Sequence, residues 1–247
     1  MTETLFTPEG RRIALNRTVG QAPTVLFLGG FRSDMTGTKA LFLEDWCRAQ
    51  GRAFVRFDYS GHGASGGRFE DGSIGDWAAD AAAVLATIAG PAVLVGSSMG
   101  GWIALLLARQ MPHRIAGLVT IAAAPDFTED LMWKGWNDAS RARLMAEGVV
   151  HEPSDYGDPY PITRRLIEDG RRNLVLRGPL ELPFPVRMLQ GSADTDVPQA
   201  HALRLFDHAS GPDIRLTLVR GADHRFSTPD CLSLIAAAVT EVVGATG

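Results

Sequence analysis

Three residue types in this chain can do nucleophilic chemistry together if the fold brings them within reach. They are a serine inside G-x-S-x-G, an aspartate in a later turn and a histidine in a turn later still. The serine is Ser98, in AVLVGSSMGGWIALLLARQ, where an apolar β-branched stretch precedes the motif and an apolar helix-like stretch comes after it. That order describes a nucleophile elbow. The turn is so tight that the serine takes a strained backbone conformation, and nearby glycines leave room for strand and helix to approach. A serine held this way points its hydroxyl outward. The first residue of the next helix, Met99, then offers a backbone N–H where an oxyanion would form during attack on a carbonyl.

A hydroxyl is a weak nucleophile near neutral pH, so an imidazole must take its proton and a carboxylate must orient the imidazole. Two later loops have the right form. After the strand-like PVRMLQ comes GSADTDVP, and after DIRLTLVR comes GADHRFS. His224 in the second loop is the expected base. Of the other histidines, His201 and His208 sit one heptad apart on a helix face expected to be exposed, and His113 comes after a helix end where it can cap carbonyls. His62 and His151 lie in loops without a suitable preceding strand and acid partner. For the acid, Asp194 and Asp196 compete, with Asp126 a third option. Asp194 falls earlier in its turn, whereas Asp196 directly precedes Val197-Pro198 and is placed to cap the next helix.

A second oxyanion donor is expected from FLGGFRSDMTGTKA, where Gly29 and Gly30 let backbone approach a substrate; Phe31 N–H is the candidate. A glycine pair that merely turns the chain predicts the same residues. Arg32, Ser33 and Asp34 either contact substrate or stabilise the loop.

The motif occurs twice. Gly63-Ala64-Ser65-Gly66-Gly67 also reads G-x-S-x-G, but a charged, glycine-rich stretch comes next, so Ser65 reads as loop. Gly61, Gly63 and Gly66 match G-x-G-x-x-G as well. A dinucleotide site needs a helix N-terminus under the pyrophosphate, and the next helix pattern opens only near Gly75.

Periodicity supplies the positioning elements. Thr4–Thr7 and Arg11–Asn16 flank Pro8-Glu9-Gly10 and predict an antiparallel hairpin. PTVLFLGG, AFVRFDY, PAVLVGS, IAGLVTIAA, PVRMLQG and DIRLTLVRG suit strands buried on both faces. Lys39–Gln50, Gly75–Ala89, Gly101–Gln110, Gln199–His208 and Pro229–Val243 carry apolar residues at helical steps. The expected fold class is α/β, a mostly parallel twisted sheet with helices on both faces. From Pro125 to Pro183 no good strand candidate occurs, while proline, charge and aromatics accumulate. This segment reads as a small helical cap inserted before the acid-bearing strand. Residues 1–124 and 184–247 then form the core and 125–183 the cap, all in one structural domain.

Composition narrows the class. The 247 residues carry a net charge of −4, which argues against a broad nucleic-acid-binding surface. Cys47 and Cys231 give no disulfide framework and read as reduced, packed thiols. No zinc spacing is present, and the serine chemistry needs no cofactor or metal. MTETLFTPEGRRIAL lacks an apolar signal region, and no stretch approaches the ~20 apolar residues of a membrane span, so a soluble cytoplasmic protein is expected.

With GGF, G-x-S-x-G, G-x-x-D-x-x-V-P at Gly191–Pro198 and G-x-x-H at Gly221–His224, the chain resembles an α/β-hydrolase over nearly its whole length. More narrowly, GGFRSDMTGTKA, DYSGHGASGG, VGSSMGGW and YGDPYPITRRLIEDGR resemble the subfamily of the mitochondrial palmitoyl-protein thioesterase that also cleaves acyl glucuronides, together with its bacterial relatives. The resemblance implies hydrolysis of esters or thioesters by a Ser98–Asp194–His224 triad. The chain departs from the mitochondrial members in lacking a presequence, which makes a bacterial cytosolic protein the expectation.

The cap segment offers Phe127, Met132, Trp133, Trp136, Met145, Tyr156 and Tyr160 for enclosing an apolar acyl group. Met132, Trp133 and Trp136 are the pocket candidates, because they come soon after a strand end. Arg164, Arg165, Arg171 and Arg172 suit an anionic leaving group or, more ordinarily, a solvated helix face. Partners are thus a small-molecule or acylated substrate. A binding protein that kept the fold without catalysis is the rival from another class. A carbon–carbon hydrolase, a peptidase or an acyltransferase would use the same residues.

Overall fold

The short β-branched runs fold as strands that stack side by side. The computed structural model describes residues 2–152 and 159–245. An eight-stranded sheet is built from β1 (Glu3–Phe6), β2 (Arg12–Thr18), β3 (Gln21–Leu28), β4 (Arg52–Phe57), β5 (Ala92–Ser97), β6 (Ile115–Ile121), β9 (Val186–Gly191) and β10 (Ile214–Val219). Its order is β1-β2-β4-β3-β5-β6-β9-β10; β1–β2 and β2–β4 pair antiparallel, and every pair from β4 across to the β10 edge is parallel. The hairpin expected at the start is β1–β2.

Parallel neighbours need crossovers, and the helices supply them on both faces. α1 (Thr38–Ala49) and α7 (Pro229–Gly244) cover one face; α2 (Ile74–Ala86), α3 (Met99–Gln110) and α6 (Gln199–His208) cover the other. Every residue of β5 is buried, as its unbroken apolar run requires. The expectation of two-sided burial fails for β10, which is the sheet edge and leaves Leu218 41% exposed.

Between β6 and β9 the chain leaves the sheet. A π-helical turn at Thr128–Trp133, α4 (Asp138–Glu147), β7 (Val149–Glu152), β8 (Tyr160–Thr163) and α5 (Arg164–Arg172) fill this excursion. β7 and β8 pair antiparallel, which corrects the expectation of a strand-free, wholly helical segment. Buried Asp126, at φ 58°, accepts hydrogen bonds from Val175 N, Leu176 N and Arg177, and Asp130 accepts from Arg177 and from Arg204 of α6. These bonds tie the two ends of the excursion to each other and, through Arg204, to the core. Asp126 is thereby spent on structure.

Loops leaving the carboxyl ends of β3, β5, β9 and β10 converge where the strand order reverses. That is where open α/β sheets bind ligands.

Candidate active site

Ser98 stands between β5 and α3 at φ 54°, ψ −118°, a conformation non-glycine residues adopt only at a cost of roughly 1–3 kcal/mol. Its backbone is held from three sides: its N–H donates to Ile121 O at 2.9 Å, and its carbonyl accepts from Gly101 N and Ala124 N. The motif glycines are sterically obligatory. A Cβ on Gly96 would lie 2.4 Å from Gly100 O, and one on Gly100 would lie 2.1 Å from Leu28 O. α3 begins at Met99, two residues before the expected Gly101, so Met99 is its first residue.

The loops after β9 and β10 bring two more side chains to this serine. His224 Nε2 lies 3.1 Å from Ser98 Oγ, and His224 Nδ1 lies 2.9 Å from Asp194 Oδ2. With Nδ1–H donating to the carboxylate, Nε2 is free to accept the hydroxyl proton. Asp194 also accepts from Gln190 Nε2 and from the backbone N–H groups of Asp196 and Val197. Burial works to raise its carboxyl, but the hydrogen bonds from His224, Val197 and Gln190 outweigh burial and hold it below the usual carboxylate range.

The N-cap position of α6 falls on Pro198, and Asp196 lies two residues before it. The Asp196 carboxylate sits 4.0 Å from His224 Nε2, on the reactive side of the ring. The expectation of an exposed pair at His201 and His208 also fails: His201 is buried with Nε2 2.6 Å from Pro125 O, and His208 Nε2 lies 2.8 Å from Gly178 O. Carbonyls of the excursion pack against that face of α6 and take up both rings.

A cavity of about 530 Å³ opens over Ser98 and His224, with Phe31 and Met99 on the core side and Phe127, Met132, Trp136 and Tyr160 on the excursion side. Its volume suits a small-molecule site. Gly30 lets backbone pass close to the nucleophile: a Cβ there would be 3.5 Å from Ser98 Cβ. The Phe31 ring is clasped by Phe69, Trp77, Phe127 and Tyr160 at centroid distances of 4.9–6.0 Å. Trp133, expected in the pocket, is not among the lining residues. Its ring is held between the guanidinium groups of Arg141 and Arg171, 5.6 and 4.4 Å from the centroid. Met145 is exposed, and Tyr156 lies outside the described residues.

The four arginines considered for an anionic leaving group are engaged elsewhere: Arg164 with Glu168, Arg165 with Asp76, Arg171 with Glu129 and Arg172 with Asp169. The cations that do line the cavity are Arg32, Lys39 and Arg225. Burial pushes the Lys39 ammonium down to about 8, and its Nζ lies 2.5 Å from Arg225 O, bracing the loop that carries His224.

His62 proves to be part of the framework. It is 4% exposed, its Nδ1 lies 3.2 Å from Ser60 O, and its Nε2 accepts the Arg32 N–H at 3.3 Å. Burial pushes its imidazole down to about 4, so it is neutral and serves as an acceptor. Arg32, at φ 54°, comes directly after Phe31. No short-range pattern links residues thirty positions apart, which hides this contact from a reading of the sequence. Leu131, which also lines the cavity, is recognisable only from the π-helical turn.

A mostly parallel sheet with this strand order, bearing a strained serine at the β5–α3 turn and histidine and aspartate on later loops, defines a serine hydrolase of the α/β-hydrolase fold. Its family profile, described as serine aminopeptidase S33 (Hydrolase_4), matches residues 21–155, and the chain belongs to that family. It is 33% identical over 96% of its length to the mitochondrial palmitoyl-protein thioesterase ABHD10 of Rattus norvegicus, covering 80% of that protein. Among solved structures, an Agrobacterium vitis S4 protein superposes with a TM-score of 0.94 at 44% identity, covering 98% of both chains. Mouse α/β-hydrolase domain-containing protein 10 gives 0.91 at 30% identity, over 99% of this chain and 98% of that one. Among the described residues no helix is long and apolar enough to cross a membrane.

Proposed function

We propose that this hydrolase cleaves carboxylic esters or thioesters through an acyl-enzyme on Ser98. The observation that carries the reading is the continuous relay from Ser98 Oγ through His224 to Asp194 at the floor of a largely apolar cavity. His224 first accepts the serine proton and then donates it to the leaving group, while Asp194 orients the ring. Phe31 N–H and Met99 N–H form the oxyanion hole. The close approach of Gly30 to Ser98 and the position of Met99 at the start of α3 support that assignment.

Residues 125–183 serve as a cap that encloses the acyl group, with Met132 and Trp136 in contact with it. The palmitoyl-protein thioesterase similarity supports a long apolar acyl group on a small molecule or peptide. Two reduced, buried cysteines fit a reducing compartment, the cytoplasm in this reading. Fractionation of the native cell decides this against the mitochondrial location named for the mammalian relative.

The reading is tested with a fluorophosphonate probe and a panel of p-nitrophenyl esters, acyl-CoA, S-acyl peptides, acyl glucuronides and aminoacyl anilides. Ser98 is expected to be the labelled residue, and esters or thioesters the substrates turned over. Full esterase activity in Ser98→Ala would refute the nucleophile. Labelling accompanied by turnover of anilides alone would replace the esterase reading with a peptidase.

A further inference from the structure

Gln190 is the penultimate residue of β9, 1% exposed, and lies behind the acid of the proposed triad. Its Nε2 lies 3.0 Å from Asp194 Oδ2, 3.0 Å from Val197 O and 3.3 Å from Gly191 O. All three partners accept and none donates, so chemistry alone fixes which end of the amide faces them. The orientation has a cost: Oε1 is buried with no hydrogen-bond partner among the described residues. A strand residue chosen for packing alone would be apolar here, like its neighbours Met188 and Leu189.

The oxygen that Gln190 contacts is the one His224 uses. Asp194 Oδ2 receives both His224 Nδ1–H and Gln190 Nε2–H, while Oδ1 receives the backbone N–H groups of Asp196 and Val197. Each donor draws charge from the carboxylate and fixes its plane.

We propose that Gln190 is a positioning residue for catalysis, holding Asp194 Oδ2 in line with His224 Nδ1 and weakening that oxygen as a base, so that it sets the pH at which Ser98 becomes reactive. The inference rests on the triad proposed for Ser98, His224 and Asp194. Without the amide, the carboxylate becomes more basic, imidazolium is better stabilised and the base is protonated at higher pH. The other charged groups around His224 stay in place: Asp194 and Asp196 from the β9 loop, Asp223 and Arg225 on its own loop, and Lys39 from α1 against Arg225 O.

The test is the pH profile of kcat/KM with p-nitrophenyl butyrate, beside fluorophosphonate labelling, for the wild type, Gln190→Met and Gln190→Leu. Methionine keeps the length and removes the donors, and its acid limb is expected to move up by about one pH unit with KM little changed. Leucine also removes the donors, with the branched apolar shape common on this strand, and is expected to move the limb by a similar amount. Gln190→Leu carries the test alone should Gln190→Met not fold. A lower Tm with an unmoved acid limb in the folded variants overturns the proposal and leaves Gln190 as packing. A wild type that neither labels at Ser98 nor shows an acid limb overturns the triad reading, and this inference with it.

Discussion

Residues 96–100 and 63–67 share one five-residue pattern and put their serines to opposite uses. In the first, Ser98 is forced to φ 54°, its backbone is tied down and its hydroxyl is left facing His224. In the second, Ser65 Oγ donates to Asp58 O at 2.6 Å and accepts from Ala14 N at 2.8 Å, so both capacities are consumed inside the fold. The left-handed backbone falls on the serine in one place, where it is strained, and on glycines in the other, where Gly63 and Gly67 adopt positive φ without strain. The two turns part at their carboxyl ends. A helix starts directly after Ser98, whereas the glycine turn after Ser65 closes on β2 through Gly66 N and Arg12 O. The pattern supplies a tight turn; the next element decides whether the serine is displayed or buried in bonds.

The largest expected contrast is in turnover. Ser98→Ala should lower kcat/KM on a p-nitrophenyl ester by about 10⁴-fold or more while leaving the urea midpoint nearly unchanged. Ser65→Ala should keep the rate. If both variants lose activity equally, the two turns are not functionally distinct.

Next comes the glycine scaffold. In Gly100→Ala the new methyl would meet the Leu28 backbone carbonyl at 2.1 Å, and a loss of more than about 3 kcal/mol is expected. Gly66→Ala places its Cβ 3.3 Å from Arg12 Cβ, a contact relieved by a shift of a few tenths of an ångström, and should cost within about 1 kcal/mol. Urea unfolding of the pair measures the difference, and equal midpoints would show that the first turn has slack that its geometry denies. Ser65→Ala falls between them: it leaves the buried Ala14 N–H and Asp58 O without their partner and should cost about 1–3 kcal/mol.

The same contrast explains how far the sequence is legible. Ser98, Asp194 and His224 can be read because each sits in a local grammar of strand, glycine and turn, and because their chain order is constrained by the sheet. Ser65 is excluded by the same grammar. The β7–β8 pair is not legible: four residues each, with Pro161 inside β8, give too little alternation, and the pairing is visible only in space. Trp133 misleads because proximity to a strand end does not set rotation about a π-helical turn, and two arginines claim its ring. The roles of Gln190, Lys39 and His62 depend on partners brought near by folding. An earlier place in the turn favours Asp194 over Asp196 in the sequence, and the hydrogen bond to His224 Nδ1 supplies the physical basis for that preference.

The smallest expected effect concerns how the second turn supports the first. His62, beside Gly61 and Gly63, holds the Arg32 N–H and so steadies the loop carrying Phe31. Its imidazole titrates at about 4 when folded, below the ordinary 6.5. The unfolded chain therefore binds a proton that the folded chain refuses. Stability from this group is complete above pH 6.5 and falls as pH drops toward 4, by about 1 kcal/mol at pH 5.5 relative to pH 7.5. His62→Gln keeps an acceptor for Arg32 and removes the titration. Its unfolding free energy should lose that share of the pH dependence across the window, measured by urea denaturation at pH 7.5 and pH 5.5. An unchanged slope would mean that His62 is protonated within the fold, and that the Arg32 contact is not what it holds.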